Sequence, residues 1–215
     1  MVSEDKGQRS SISSKSYLIM KANAQEAIVL AEDWWESKII PSYIHIRRLK
    51  SDDMDAFVDL YNRCFLASPD PFCLLTLEDA NKLETEGIFV AELWGNLSGF
   101  IACFVENKDD SIYGEITGIG VLPQRRRRGL ATALIQRAVE YFIDAGVEEV
   151  YCEVFAENTP SKMLIMAYGF TEVGRREIPT EGLQEDQTEL RYPGGKIMRR
   201  LGLRPRPGCE SCRDL

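Results

Sequence analysis

The chain has 215 residues, 44% of them hydrophobic, and carries 26 basic against 34 acidic side chains, for a formal net charge of −8. That length suits one domain with appendages and a sizeable core, and the acidic balance speaks against nucleic acid as a partner. No apolar run approaches the roughly 18 residues of a membrane span, and the N-terminus, with Glu4 and Asp5, does not read as a signal peptide. The expectation is a cytoplasmic protein with no membrane contact.

Residues 1–15 are polar and rich in Ser and Lys, and read as disordered. Ala24 to Ser37 carries Ala24, Ala27, Ile28, Ala31, Trp34 and Trp35 on one helical stripe, which predicts a helix that packs on its own domain or on a partner. Tyr43 to Leu49 alternates Ile44 and Ile46 against His45 and Arg47, so it reads as a strand with His45 on its outer side. A helix follows from Ser51-Asp52-Asp53, with Met54, Phe57, Val58, Tyr61, Cys64 and Phe65 on one face. A shorter helix starts at Thr76. Ile88–Leu93, Leu97–Val105 and Ile112–Val121 read as three strands, with turns at Trp94-Gly95-Asn96 and at Asn107–Asp110.

The informative stretch is Ile116 to Phe170. An apolar, Gly-broken strand ends at Val121-Leu122-Pro123, and Leu130, Leu134, Ala138, Tyr141, Phe142 and Ala145 then repeat as one helical face. Between them stands Arg126-Arg127-Arg128-Gly129-Leu130-Ala131. The first amides of a helix lack intrahelical partners, and the helix dipole places partial positive charge there, so this junction suits phosphate oxygens. Gly129 leaves room for close approach, and the arginines add forked donors. Taken alone, the arginine run also fits a solvated, charged helix start. A strand at Val150–Val154, Asn158, a helix over about Pro160–Tyr168 and a strand at Thr171–Ile178 follow. Lys196–Leu201 is a candidate last strand. Cys209 and Cys212 have metal-ligand spacing but too few companions for an intrachain zinc site, since the single histidine is His45. Two such pairs pooled in a homodimer would supply four ligands.

Arg126-x-x-Gly129-x-Ala131, with Val121-x-Pro123 before it and Asn158 and Gly169-Phe170 after it, resembles the pyrophosphate loop and its surroundings in the GNAT superfamily of acetyl-CoA-dependent N-acetyltransferases. The resemblance covers about residues 43–201, and the wording of the loop is similar to the branch that acetylates protein N-termini. It implies an α+β fold with a mixed, mostly antiparallel central sheet, flanking helices, and fourth and fifth strands that splay apart to admit acetyl-CoA. The implied organisation is a disordered segment at 1–15, an additional N-terminal helix within 16–41, an acetyltransferase domain at 42–201 and a flexible tail at 202–215. The implied cofactor-binding residues are Ile119, Gly120, Val121, Arg126, Arg127, Arg128, Gly129, Leu130, Ala131, Thr132 and Asn158, with no metal. Pro69–Leu75 falls where the family's acceptor site is bordered.

Acetyl transfer to an amine needs a neutral nucleophile, an oriented carbonyl and a stabilised thiolate. Orientation alone can supply effective molarities of about 10⁵–10⁸ M. Glu115 is the candidate base: it stands eleven residues before Arg126, the spacing of the catalytic Glu in histone-acetylating relatives. A backbone N–H near Ile119–Val121 is the candidate polariser of the carbonyl. Many relatives carry a Tyr seven residues after the Asn as the acid for the thiolate. Here that position is Ile165, with Tyr168 three residues on, so no side-chain acid is expected there. The acceptor is expected to be a protein N-terminus, a lysine or a small amine. The alternative function is a non-catalytic acyl-CoA-binding sensor or scaffold.

Overall fold

The structure is a computed structural model that describes residues 14–36, 43–69, 74–108 and 111–179. It opens with a strand that the sequence reading did not contain, β1 (Ser14–Asn23). Leu18, Met20 and Ala22 are buried at every second position, which is the strand period. The unbroken apolar run Tyr17–Met20 masks that alternation in the sequence. The segment assigned to an added helix is therefore a strand followed by the helix α1 (Ala24–Glu36). Asn23 caps that helix, its Oδ1 accepting from the amides of Gln25 and Glu26 at 2.9 and 3.2 Å.

The chain continues through β2 (Ile44–Arg48), a 3₁₀ turn at Ser51–Asp53, α2 (Met54–Leu66) and the one-turn helix α3 (Leu77–Ala80). Then come β3 (Ile88–Leu93), β4 (Asn96–Lys108) and β5 (Ser111–Val121), the expected meander. Trp94 and Gly95 both have positive φ, 52° and 75°, as a two-residue hairpin turn of the primed type requires. A 3₁₀ turn at Pro123–Arg125, α4 (Leu130–Asp144), β6 (Glu149–Phe155), α5 (Thr159–Met166) and β7 (Thr171–Pro179) complete it.

The seven strands of the described residues form one sheet in the order β2-β3-β4-β5-β6-β1-β7. Among them, only β5 and β6 are parallel neighbours; β1 runs antiparallel to both β6 and β7. β1 therefore separates two strands that would otherwise be adjacent, pairing from Tyr17 opposite Phe155 to Asn23 opposite Glu149. The extra strand makes the expected fourth and fifth strands β5 and β6.

Each sheet face has its own core. On one face, Leu130, Leu134, Ile135, Ala138 and Phe142 of α4 pack with Ala24, Ala27 and Ala31 of α1 and with Ile165, Tyr168 and Phe170. The small alanines let α1 lie close on α4. Ala145, expected on the buried face of α4, is exposed at its C-cap. On the other face, Phe57 and Tyr61 of α2 pack on Phe100 of β4, with ring centroids 5.4 and 5.6 Å apart. Arg47 ties β2, β3 and the 3₁₀ turn together, its guanidinium bonded to Asp53 at 2.6 and 2.9 Å and to Glu92 at 2.5 Å. That pairing holds the Asp53 carboxyl below its ordinary pKa. His45 is exposed. No helix among the described residues is long and apolar enough to cross a membrane. The strand expected at Lys196–Leu201, the tail and Cys209/Cys212 lie outside the described residues, as do the side chains of Trp34 and Trp35.

Candidate active site

β5 and β6 pair only from Tyr113–Ile116 against Glu149–Cys152, although β5 runs on to Val121 and β6 to Phe155. Beyond Ile116 and Cys152 the two strands part, and each presents backbone donors and acceptors to the gap. A strand edge in this state is a template for an extended ligand. The outer edges of both strands are occupied, β5 by β4 and β6 by β1. A register shift opposite Ala102/Cys103 leaves Thr117 unpaired at the point of divergence, its hydroxyl donating to the Ala102 carbonyl at 3.3 Å.

The gap ends at the loop that leads into α4. Arg127 and Gly129 both have positive φ, 63° and 86°. Gly129 is the N-cap of α4, so the glycine is demanded by a left-handed backbone as well as by access; a side chain there costs about 1–2 kcal/mol. Arg127 adopts this region without being glycine, an uncommon conformation that concentrates at ligand-binding loops. The first amide here with an intrahelical acceptor is that of Ala133, bonded to the Gly129 carbonyl at 3.0 Å. The amides before it form the positive end of the helix, a concavity suited to an anion. Arg126 is anchored beside them, its Nε donating to the Val121 carbonyl at 3.1 Å.

A cleft of about 270 Å³ joins these parts. Ile119, Gly120 and Val121 of β5 form its floor, and Arg126 and Ala131 form the end at the loop. Cys64, Phe65 and Ser68, from the end of α2, face Asn158, Ser161 and Leu164, from the start of α5. Asn158 is 4% exposed and caps α5, its Oδ1 accepting from the Ser161 amide at 3.2 Å. Its Nδ2 donates to Ser68 Oγ at 3.3 Å, a link between walls 90 residues apart in sequence. Burial pushes the Cys64 thiol up to about 12, against the opposing pull of Arg126, so it stays protonated at neutral pH.

The family model "Acetyltransferase (GNAT) family" matches residues 54–170, more than half of the chain. The chain belongs to the GNAT acetyltransferase family. The match runs from the start of α2 to Phe170, so β1, α1 and β7 lie outside it. An uncharacterized N-acetyltransferase of Methanocaldococcus jannaschii is 32% identical over 59% of this chain and 60% of its own length. An N-alpha-acetyltransferase of Sulfurisphaera tokodaii is 31% identical over 60% of this chain and 80% of its own. Thus the chain spans somewhat less than two thirds of the first of these relatives. Among solved structures, the aminoglycoside N-acetyltransferase AAC(6′)-Iy, bound to a CoA-linked bisubstrate analogue, matches with a TM-score of 0.52 and 26% identity, over 66% of this chain and 100% of that one.

Within this GNAT framework, the residues present fit acetyl-CoA. Among the described residues, β5 and β6 do not pair with each other beyond Ile116 and Cys152, and the helix start at the far end of the gap offers amides and cationic side chains. Six of the expected cofactor residues, Ile119, Gly120, Val121, Arg126, Ala131 and Asn158, line the cleft. Arg127, Arg128 and Gly129 do not line the cleft; both arginines are exposed in the loop between Arg126 and Ala131. Leu130 is buried in the core at 1% exposure and contributes only backbone. Thr132 is turned to Tyr168, with which its side chain is hydrogen-bonded. An added Cβ at Gly120 would meet the Phe100 ring at 2.6 Å and Cys64 Cβ at 2.9 Å, so packing within the protein requires this glycine.

Glu115 does not line the cleft. It is half-buried at the closed end of the gap, opposite Phe104 on one side and Tyr151 on the other. Gly114 and Ile116 face α4, so alternation turns Glu115 to the α2 side of the sheet. On the opposite bank Glu153 stands two residues beyond Tyr151 and shares that face. Its carboxylate accepts from Arg176 Nη2 at 2.5 Å, while the Arg176 guanidinium lies 5.1 Å from the Tyr17 ring centre. The sequence reading missed Glu153, Tyr17, Arg176 and Ser68. Their contacts cross distant strands, and only the outward position of Glu153 in its strand hinted at any of them. Ile165 and Tyr168 are 3% and 2% exposed in the core, and neither lines the cleft.

Of the segment expected to set acceptor specificity, Pro69–Leu75, residues 70–73 lie outside the description. Its far end is pinned: Asn62 bonds both the amide and the carbonyl of buried Leu75, at 2.8 and 2.9 Å. Leu74 beside it is exposed.

Proposed function

We propose that this protein is an acetyl-CoA-dependent N-acetyltransferase whose acceptor is a primary amine, with a protein N-terminus or a lysine as the foremost class. The observation that carries the reading is the gap between β5 and β6, closed at one end by the amides and arginines of the Arg126–Ala131 loop. Acetyl-CoA, when bound, supplies the acetyl group as a thioester. The loop amides and Arg126 hold its phosphates. The free edge of β5 from Thr117 to Val121 offers backbone groups to its arm, and an N–H among them polarises the acetyl carbonyl. Glu115, at the end where β5 and β6 are still paired, takes the proton of the attacking amine directly or through water. The similarity to the N-alpha-acetyltransferase of Sulfurisphaera tokodaii supports a protein N-terminus as acceptor. The aminoglycoside neighbour supports a small amine as the competing class.

Turnover of acetyl-CoA against a panel of N-terminal peptides, lysine peptides and polyamino sugars tests this. The expected result is saturable acetylation of the peptide N-termini. Preference for the sugars would move the acceptor class and keep the chemistry. Cofactor binding with no turnover on any amine would favour a sensor, the reading that Ile165 at the usual acid position also supports.

A further inference from the structure

We propose that Cys64, backed by Phe100, sets the length of the acyl group that the cleft accepts and holds it to acetyl. The proposal rests on the reading of the cleft as the acetyl-CoA site.

It starts from the alternation of β5. Ile119 and Val121 pack on the core shared with α4, so their side chains fill that side of the sheet. Gly120, between them, turns to the α2 side. With no side chain at this position, the next layer on the α2 side is Cys64 and Phe100. A Cβ added to Gly120 would stand 2.9 Å from Cys64 Cβ, 3.2 Å from Cys64 Sγ and 2.6 Å from the Phe100 ring. Cys64 therefore lies directly against the backbone run whose N–H groups are the candidates for the acetyl carbonyl. It also lines the cleft, on the wall opposite Leu164.

The wall is one small side chain deep, and its backing is rigid. Phe100 is fully buried, with the rings of Phe57, Tyr61 and Phe65 at 5.4, 5.6 and 6.3 Å between centroids. An interior packed in this way does not yield to an extra methylene without strain. The phosphate end of the cleft is marked by Arg126 and Ala131, so the thioester end of the arm lies toward Ile119 and the point where the strands part. An acyl chain held there by its carbonyl meets the filled core on the α4 side and Cys64 on the α2 side. The Cys64 thiol stays protonated because burial raises it, so it presents the surface of a small hydrophobe. An acetyl methyl packs on that surface, whereas each further methylene overlaps it. One methylene in a hydrophobic pocket is worth about 10–200-fold in discrimination. The role is steric: the sulfur of Cys64 takes no part in the transfer.

The test is calorimetry of the full-length protein with CoA, acetyl-CoA, propionyl-CoA and butyryl-CoA, in wild type, Cys64→Ala, Cys64→Ser, Cys64→Val and Leu164→Ala. Each variant's Kd for CoA is its own reference, so a general weakening of the cleft cancels from the ratios. Wild type should bind butyryl-CoA at least about tenfold more weakly than acetyl-CoA, and Cys64→Ala should bring the two within about threefold of each other. Cys64→Ser, close to cysteine in size, should keep the wild-type ratio. Cys64→Val should extend the penalty to propionyl-CoA. A butyryl-to-acetyl ratio that is the same in wild type, Cys64→Ala and Cys64→Val, or that relaxes in Leu164→Ala instead, overturns the proposal and leaves the cleft assignment standing. Failure of the wild-type protein to bind CoA at all overturns both.

Discussion

The two banks of the gap are held in opposite ways. β5 is secured by its neighbour in sequence, pairing with β4 from Lys108 opposite Ser111 to Gly99 opposite Val121. β6 is secured by β1, more than a hundred residues away in the chain. The first bank is a hairpin whose alternation and turn residues are written locally. The second exists only when a strand from the start of the chain inserts between β6 and β7. The two banks do the same job for a ligand, but only one of them leaves a local signature.

That contrast explains what was legible. The Arg126–Ala131 loop and Asn158 were picked out by a resemblance carried by residues close in sequence, a loop at a helix start and a cap at the next helix, and Arg126, Ala131 and Asn158 line one cleft. α4 was found from its period, and the meander from its alternation. β1 was not found, because Tyr17, Leu18, Ile19 and Met20 are all apolar and only the structure shows which of them face inward. Ser68 was not found because its partner lies 90 residues on. At Gly120, Phe100 and Cys64 occupy the space a side chain would need, a constraint set by residues distant in sequence.

The largest expected effect comes from removing the second bank's support. Truncation through Asn23 takes away β1, with buried Leu18, Met20 and Ala22, and exposes facing edges of β6 and β7. Each large buried side chain lost from a core costs about 2–5 kcal/mol, against a typical total of about 5–15. The truncated chain should lose cooperative unfolding by circular dichroism and should aggregate on size exclusion. A folded monomer that still binds CoA would show that β6 needs no such partner, and the contrast between the banks would collapse.

The next effect separates the two carboxylates that share one face of the sheet, Glu115 where the strands are still paired and Glu153 just beyond. Glu115→Gln should lower kcat/KM about 10²–10³-fold while acetyl-CoA affinity is kept. The deficit should narrow as pH rises, because more of the acceptor amine is then already neutral. Glu153→Gln should cost far less in kcat and more in stability, since Glu153 is engaged with Arg176 over Tyr17. Steady-state profiles for both variants decide the matter. A larger, pH-dependent loss in Glu153→Gln would move the base from the first bank to the second.

Gly129→Glu acts at the end of the first bank. It places bulk and negative charge where phosphate oxygens are expected, and it forces a side chain into a left-handed backbone with φ of 86°. Affinity for acetyl-CoA should fall at least tenfold, about 1.4 kcal/mol. Backbone strain should add a further loss of stability of about 1–2 kcal/mol. Gly129→Ala carries the strain without the charge, so calorimetry on the pair divides the two contributions. Equal affinities in Gly129→Glu and wild type would remove the phosphate assignment.

The smallest effect is expected at Tyr168, on the helix that follows the second bank. It is the residue nearest in sequence to the family's usual acid, and composition alone makes it tempting. Its place argues otherwise. The ring is 2% exposed among the residues packed under α4, and its hydroxyl is bonded to Thr132 on that helix. Replacing it by Phe keeps the ring and deletes one buried hydrogen bond, so stability should fall by about 0.5–1.5 kcal/mol, or somewhat more if the Thr132 hydroxyl finds no other acceptor. Catalysis should barely respond, with kcat within about threefold of wild type and the pH profile unchanged. Paired measurements of melting temperature and kcat on Tyr168→Phe give two independent readings of one substitution. A melting temperature that stays put while kcat falls a hundredfold would place the Tyr168 hydroxyl at the sulfur, and the burial seen here would then have to open during turnover.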